Sequence, residues 1–126
     1  MNIRPFKDSD YETICSWLNF KPTKDVLSGS STYVLENDNK LLFCLTIYFT
    51  NSKNLCLIEN FAGNPNFKEE RKKYSQYLWL YCERLAKEMG YKNVMVLSNI
   101  DKLTQKYEQF GYTKFMDNVV ALKKDL

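Results

Sequence analysis

The stretch that most constrains this fold covers residues 55–89, where an apolar segment leads through a polar loop into a long amphipathic segment. LCLIENFA predicts a strand, GNPNFKEERKK a polar loop, and YSQYLWLYCERLAKEM an amphipathic helix. The helical pattern covers about Glu69 to Met89, and Gly90 ends it. The predicted buried face of this helix carries Tyr74, Tyr77, Leu78, Tyr81, Cys82, Leu85 and Met89. Because N–H groups at a helix start are unpaired and the loop is cationic, an anion site is predicted at their junction.

The remaining segments place this unit in an α/β domain whose sheet is mixed, with antiparallel as well as parallel strands, as in α+β proteins. The predicted strands cover residues 2–6, 32–36, 41–49, 54–62, 93–97, 112–115 and 118–123. Turn-like residues at 37–39 and 51–53 predict an antiparallel meander for the second to fourth strands. With the helical patterns between them, the predicted order is β-α-α-β-β-β-α-β-α-β-β. A single domain over residues 1–126 is expected, with helices on both faces of the sheet.

Composition argues against several classes of protein. The 18 Lys and Arg residues against 15 Asp and Glu give a net charge of +3, a small excess for a nucleic-acid binder. There is no histidine, and the four cysteines are far apart, so neither a metal site nor a thiol–imidazole pair is predicted. The longest apolar run, residues 41–49, is far short of the roughly 20 residues of a membrane helix, and no signal peptide is recognisable. We expect a cytoplasmic protein that binds no membrane.

Three segments together resemble the GNAT superfamily of N-acetyltransferases. They are LCLIENFAGNP before the long helix, EMGYKNVMVL after it and KYEQFGYTKF near the end. The most specific piece is YEQFGY at residues 107–112, which is similar to the family's recurring YEKLGF segment. The resemblance spans nearly the whole chain and implies a GNAT-like fold with a splayed central sheet. It also implies acetyl-CoA as acyl donor and an amine of a small molecule or protein as acceptor, and it leaves a homodimer open.

The resemblance assigns the acyl donor to two neighbouring places. The backbone of Asn60, Phe61 and Ala62 would pair with the pantetheine arm. The pyrophosphate signature R/QxxGxG/A falls on Arg71, Lys72, Lys73, Tyr74, Ser75 and Gln76. Tyr74 and Gln76 replace glycines that would let phosphate approach bare backbone, so side chains of Arg71, Lys72, Lys73 and Ser75 are the expected substitutes. Asn99 lies near a position where the family often has an asparagine that contacts CoA.

Tyr107 and Glu59 are the catalytic candidates implied by the resemblance. The tyrosine matching Tyr107 commonly protonates the departing CoA thiolate as a general acid. The alternative is that Tyr107 belongs to an apolar helix face with Leu103 and Phe110. Glu59 lies on the strand where the family often carries an acidic residue that deprotonates the amine. The alternative for Glu59 is a solvent-facing strand residue.

Two functions therefore stay open at this point. The first is an acyl-CoA-dependent N-acyltransferase. The second is a non-catalytic GNAT-like binding or regulatory module that has lost acyl-CoA binding, in which exposed aromatic residues such as Trp17, Phe20 and Trp79 would mark a partner surface. Nucleic-acid binding through the cations at residues 68–73 is a weaker third reading, given the net charge of +3.

Overall fold

The chain folds into a five-stranded sheet with helices on both faces. The computed structural model describes residues 1–28, 31–98 and 101–126. The strands are β1 (Asn2–Pro5), β2 (Ser31–Asn37), β3 (Lys40–Phe49), β4 (Cys56–Gly63) and β5 (Val94–Val96). The α-helices are α1 (Tyr11–Cys15), α2 (Lys24–Ser28), α3 (Lys68–Glu88) and α4 (Asp101–Gln109). Single 3₁₀ turns precede α1 and α3, at Asp8–Asp10 and Pro65–Phe67. No helix in these ranges combines the length and apolar character needed to cross a membrane.

The sheet order follows the chain, β1-β2-β3-β4-β5, and confirms the predicted meander. Strands β1 to β4 pair antiparallel, whereas β5 pairs parallel to β4. Asp38 and Asn39 link β2 to β3 with positive φ angles of 50° and 62°, a backbone that these two residue types tolerate in tight hairpins. Parallel strands need a crossover, and α3 supplies it between β4 and β5.

The sheet separates two apolar clusters. The larger one lies under α3 and α4 and includes Leu45, Ile47, Ile58, Trp79 and Cys82. The smaller one lies under α1 and α2, where Ile14 and Leu27 cover Val34 and Cys44. Side chains alternate along a strand, so Cys44 faces the smaller cluster while its neighbour Leu45 faces the larger one.

The buried face of α3 differs from the predicted one. Its buried residues are Ser75, Leu78, Trp79, Cys82 and Ala86, whereas Tyr77, Tyr81 and Met89 are exposed. Ser75 and Ala86 are small and bring the helix close to the sheet, while the exposed tyrosines keep their hydroxyl groups in water. Trp79 is therefore in the core and cannot mark a partner surface. Phe20 is exposed and Trp17 is half-buried.

The two strands predicted at residues 112–115 and 118–123 do not form. The chain after Gly111 has neither helix nor strand. Phe115, Val120 and Leu122 are 70%, 75% and 91% exposed, so this segment buries too little apolar surface to hold a ladder against the three-residue β5. Asn118 also has a positive φ of 55°, which interrupts an extended backbone. The prediction of seven strands is wrong. A local alternating pattern favours an extended backbone but does not specify a neighbouring strand with which it can pair.

Asp10 fixes the start of α1 to the edge of the sheet. Its carboxylate accepts hydrogen bonds from both Arg4 Nη atoms at 2.8 and 2.9 Å and from the Lys7 N–H at 2.9 Å. Burial by itself raises the pKa of Asp10, but the hydrogen bonds and charge of Arg4, with the Lys7 N–H, bring the net pKa below its ordinary value.

We expect Asp10→Asn to lower the free energy of unfolding at pH 7 by about 1.5–3 kcal/mol, because a charged hydrogen-bond acceptor is lost. The folded-state pKa of Asp10 lies below the unfolded one. Its stabilisation is therefore complete above the unfolded pKa and is lost as the pH falls through the folded pKa. Urea unfolding at pH 7 and pH 3 should show the difference between variant and wild type shrinking in acid. Glu12→Gln is the control, since Glu12 makes only an exposed 3.8 Å ion pair with Lys21.

Candidate functional site

Strands β4 and β5 separate after a short stretch of pairing. Only Cys56, Leu57 and Ile58 pair with β5, whereas β4 continues to Gly63. Residues 59–63 therefore present backbone N–H and C=O groups along an edge that β5 leaves open. The splay that the resemblance implies is present, and it lies next to the predicted pantetheine-binding residues 60–62.

A β-bulge bends β4 where the splay begins. Asn60 and Phe61 together lie opposite Leu45, between the Thr46–Glu59 and Cys44–Ala62 pairs, and Asn60 has a positive φ of 54°. Side chains on the α1 and α2 face hold the bulge in place. Asn60 Nδ2 donates to Thr46 Oγ1 at 3.2 Å, and Cys44 Sγ donates to the Asn60 carbonyl at 3.2 Å. Burial raises the pKa of Cys44 to about 12, so this thiol stays protonated as a donor.

Trp79 joins the splay to α4. Its indole is fully buried, and four aromatic rings surround it at centroid distances of 5.0–5.7 Å, those of Phe61, Tyr107, Phe110 and Tyr112. Trp79 Nε1 donates to the Tyr112 hydroxyl at 2.8 Å, and that hydroxyl donates to Glu83 Oε2 at 3.1 Å. The YEQFGY segment is thereby fixed against α3 and β4.

Tyr107 is one of the four rings around Trp79. It is only 5% exposed, and its ring contacts Trp79, as the alternative of an apolar helix face required. Its hydroxyl forms no hydrogen bond with any residue that the structure describes. Tyr107 also lines a cavity of about 370 Å³ between β5, α4 and residues 113–119. Burial raises the pKa of Tyr107 to about 12, so the phenol holds its proton at neutral pH.

Glu59 is exposed and lies on the opposite face of the sheet from Tyr107. Its neighbour Ile58 packs in the same cluster as Tyr107, and consecutive strand residues point to opposite faces. The structure therefore does not bring Glu59 and Tyr107 into contact. The two side chains flank the splay from opposite faces instead.

Solved acetyltransferase structures share this architecture. A putative acetyltransferase from Agrobacterium tumefaciens superposes with a TM-score of 0.74 at 13% identity, over 98% of this chain and 100% of the other. Rv2747 from Mycobacterium tuberculosis, in complex with CoA, gives 0.71 at 17% identity over 96% and 76%. N-acetylglutamate synthase from Neisseria gonorrhoeae, complexed with coenzyme A and L-arginine, gives 0.70 at 18% identity over 84% of this chain. This chain spans about a quarter of that enzyme, 26% of its length.

This chain has the GNAT fold. The sequence by itself matches no protein-family model and no curated protein. The structural likeness therefore shows the fold alone, and the chemistry of the site depends on the residues of this chain.

The residues aligned with the GNAT pyrophosphate signature are all helical here. Residues 71–76 lie inside α3, which begins at Lys68, so the N–H groups from Lys72 onward are bonded to helix carbonyls. Tyr74 is half-buried beside Tyr77, Ser75 is buried, and Lys72, Lys73 and Gln76 are exposed. Tyr74 is about 9 Å along the axis from Lys68 and does not cover the helix start. This segment can reach a phosphate only through its side chains.

The start of α3 carries acidic side chains. Glu69 and Glu70 lie in its first turn, where they pair with Lys72 at 3.7 Å and Lys40 at 2.9 Å. Carboxylates are favourable at a helix N-terminus and compete there with any other anion. The predicted anion site at the junction of loop and helix therefore has two resident carboxylates close to it.

Arg71 and Lys106 are two cations near the open end of β4, Arg71 beside Gly63 and Lys106 beside Phe61. A Cβ atom at Gly63 would lie 2.7 Å from Arg71 Cδ. The Arg71 side chain therefore packs directly against the backbone of Gly63. Lys106 Nζ lies 5.6 Å from the ring centroid of Phe61. Burial lowers the pKa of Lys106, and the charge of Arg71 lowers it further.

Arg71 is among the site residues predicted from the sequence, whereas Lys106 is not. A signal was present, because Lys106 lies between Leu103 and Phe110 at helical spacing, and a cation on an apolar stripe is uncommon. Asn99 lies outside the residues that the structure describes, so its predicted contact with CoA stays a prediction.

Proposed function

We propose that this protein is an N-acyltransferase that moves an acetyl or other acyl group from acyl-CoA to an amine of a small molecule or protein. The observation that carries the proposal is the open β4 edge at residues 59–63, which can pair with the amide groups of a pantetheine arm. Two proteins of the same fold, Rv2747 and N-acetylglutamate synthase, are in complex with CoA, which supports this proposal. Asn60, Phe61 and Ala62 are the residues that would line the arm.

The proposed chemistry uses both faces of the splay. An acyl thioester lying in the splay has Glu59 on one face and Tyr107 on the other. The Glu59 carboxylate takes a proton from the amine, directly or through water, and the nitrogen forms a bond to the acyl carbon. The carbon–sulfur bond breaks, and Tyr107 donates its proton to the sulfur. Because the pKa of Tyr107 is about 12, the proton is available throughout the neutral range.

The second candidate is a non-catalytic module that does not bind acyl-CoA. It is favoured by the helical signature segment and by Glu69 and Glu70 at the start of α3. Under this alternative, the phosphates of CoA have no backbone amides to bind. The two candidates differ in one measurable property, affinity for acetyl-CoA.

Saturating acetyl-CoA is expected to raise the melting temperature by several degrees. A ligand at 100 times its dissociation constant stabilises the folded state by about 2.7 kcal/mol. Thermal unfolding with acetyl-CoA, with ATP as a phosphate-bearing control that lacks pantetheine, measures the effect. An unchanged melting temperature at millimolar acetyl-CoA would support the non-catalytic module. Cytoplasmic location, the acceptor and a homodimer stay predictions.

A further inference from the structure

Lys106 is a half-buried lysine that lies beside two aromatic rings instead of a carboxylate. At helical spacing it shares the inner face of α4 with Leu103, Tyr107 and Phe110, which pack in the larger cluster. Its Nζ atom lies 5.6 Å from the ring centroid of Phe61 and 6.0 Å from that of Phe110. Among the residues that the structure describes, no carboxylate forms an ion pair with this amine. The rings attract a cation but cannot neutralise it.

This environment makes the amine of Lys106 more reactive than that of an ordinary lysine. Arg4 and Lys40, which are also partly buried, have carboxylate partners at 2.8 and 2.9 Å that stabilise their charged forms. Lys106 has no such partner. Partial burial, and after it the charge of Arg71, hold the pKa of Lys106 below its ordinary value. At neutral pH Lys106 therefore has a larger fraction of free amine than a lysine in water, and the free amine is the nucleophilic form.

The amine also lies at the edge where the proposed acyl donor would bind. Phe61 belongs to the bulge of β4 and to the stretch, residues 59–63, that β5 leaves unpaired. Its ring contacts Trp79 at a centroid distance of 5.0 Å, and so does the ring of Tyr107. Lys106 Nζ, next to the Phe61 ring, therefore lies on the Tyr107 face of the splay. A thioester along residues 60–62 would have this amine and the Tyr107 hydroxyl on the same face.

We propose that Lys106 is a self-modification site, at which the ε-amine accepts the acyl group of acyl-CoA bound to the same copy of the protein. The nitrogen of the free amine forms a bond to the acyl carbon, and the carbon–sulfur bond breaks. The nitrogen loses one proton to water, while Tyr107 gives its proton to the sulfur and regains one from solvent. The products are a neutral amide on Lys106 and free CoA. The inference rests on the proposed function, because it requires a bound acyl donor.

Wild-type protein incubated with acetyl-CoA and no added amine is expected to gain an acetyl group on Lys106, detected by mass spectrometry of its peptides. Lys102 is the internal control, since it is an exposed lysine on the same helix. Lys106 should react about tenfold or more faster than Lys102, because only Lys106 lies beside the open edge. The rate should be independent of protein concentration. Lys106→Arg, which keeps the positive charge, should abolish the modification at this position, and Lys102→Arg should leave it unchanged.

Binding is measured separately, by the melting temperature with CoA, which carries no acyl group and cannot modify the protein. If CoA raises the melting temperature but Lys106 reacts no faster than Lys102, the inference is overturned and the proposed function stands. A rate that rises in proportion to protein concentration also overturns it, because the acyl group would then come from another copy. If neither CoA nor acetyl-CoA changes the melting temperature, the proposed function fails, and the inference fails with it because no donor is bound.

Discussion

Tyr107→Phe is expected to lower kcat about 100-fold or more while leaving acetyl-CoA affinity and the melting temperature close to wild type. General acid catalysis typically contributes a factor of about 10²–10⁴. The phenylalanine ring keeps the contact with Trp79, and the lost hydroxyl forms no hydrogen bond within the described part of the chain. Release of CoA thiol at saturating acetyl-CoA and amine measures kcat directly.

Tyr77→Phe provides the control for this substitution. Tyr77 lies on the outer side of α3 and is 50% exposed, so loss of its hydroxyl should change neither kcat nor stability. If Tyr107→Phe turns over as fast as Tyr77→Phe, the general-acid role is removed from the mechanism and Tyr107 is a core residue only. The pH dependence of the wild-type kcat is a second check. If kcat decreases with rising pH and the apparent pKa is well below 12, the titrating group is a residue other than Tyr107.

Trp79→Ala is expected to lower the free energy of unfolding by about 3–5 kcal/mol, the usual cost of deleting a large buried aromatic side chain. The substitution removes contacts with four rings and leaves the Tyr112 hydroxyl without its donor. Because a domain of this size is stable by about 5–15 kcal/mol, a large share of the total would be lost. Urea unfolding followed by circular dichroism measures the change.

Leu80→Ala is the matched control, one residue further along the same helix. Leu80 is 50% exposed, so its truncation should cost well under half as much as that of Trp79. Equal losses would mean that α3 contributes through helix propensity and that the aromatic group adds little. A cost near zero for Trp79→Ala would contradict the packing described above.

Local chemistry made much of the fold predictable. The β2–β3 hairpin depends on Asp38 and Asn39, whose residue types favour the positive φ angles that they adopt. Gly90 follows α3 with a φ of 91°, as expected of a residue that ends a helix. The strand–loop–helix unit at residues 55–89 was readable for the same reason, since each of its signals acts over a few neighbouring residues.

Features that depend on distant partners were not predictable. Apolar and aromatic residues occupy most of the circumference of α3, so its pattern alone did not show that Trp79 is buried and Tyr81 exposed. The contact with Phe61 and Tyr107 decides that orientation, and it joins residues far apart in the chain. The prediction of two C-terminal strands was wrong for a related reason. Their sequence pattern specifies alternating side chains but no partner strand.

The candidate site shows the same division. The open edge at residues 60–62 and the place of Tyr107 followed from the resemblance to GNAT proteins, and the structure supplies the splay that surrounds them. The helix predicted from about Glu69 to Met89 already included residues 71–76, and α3 covers them. Lys106 lies 5.6 Å from the ring of Phe61 because α4 packs beside β4, a long-range contact that the sequence pattern does not specify.

The packing of Arg71 on Gly63 has an entropic consequence. A free arginine side chain loses up to about 2 kcal/mol of rotamer freedom when it is immobilised. Here the side chain is already confined, with its Cδ 2.7 Å from the place that a Cβ on Gly63 would occupy. An anion that binds the guanidinium therefore meets a preorganised group, and its affinity is not reduced by ordering that side chain.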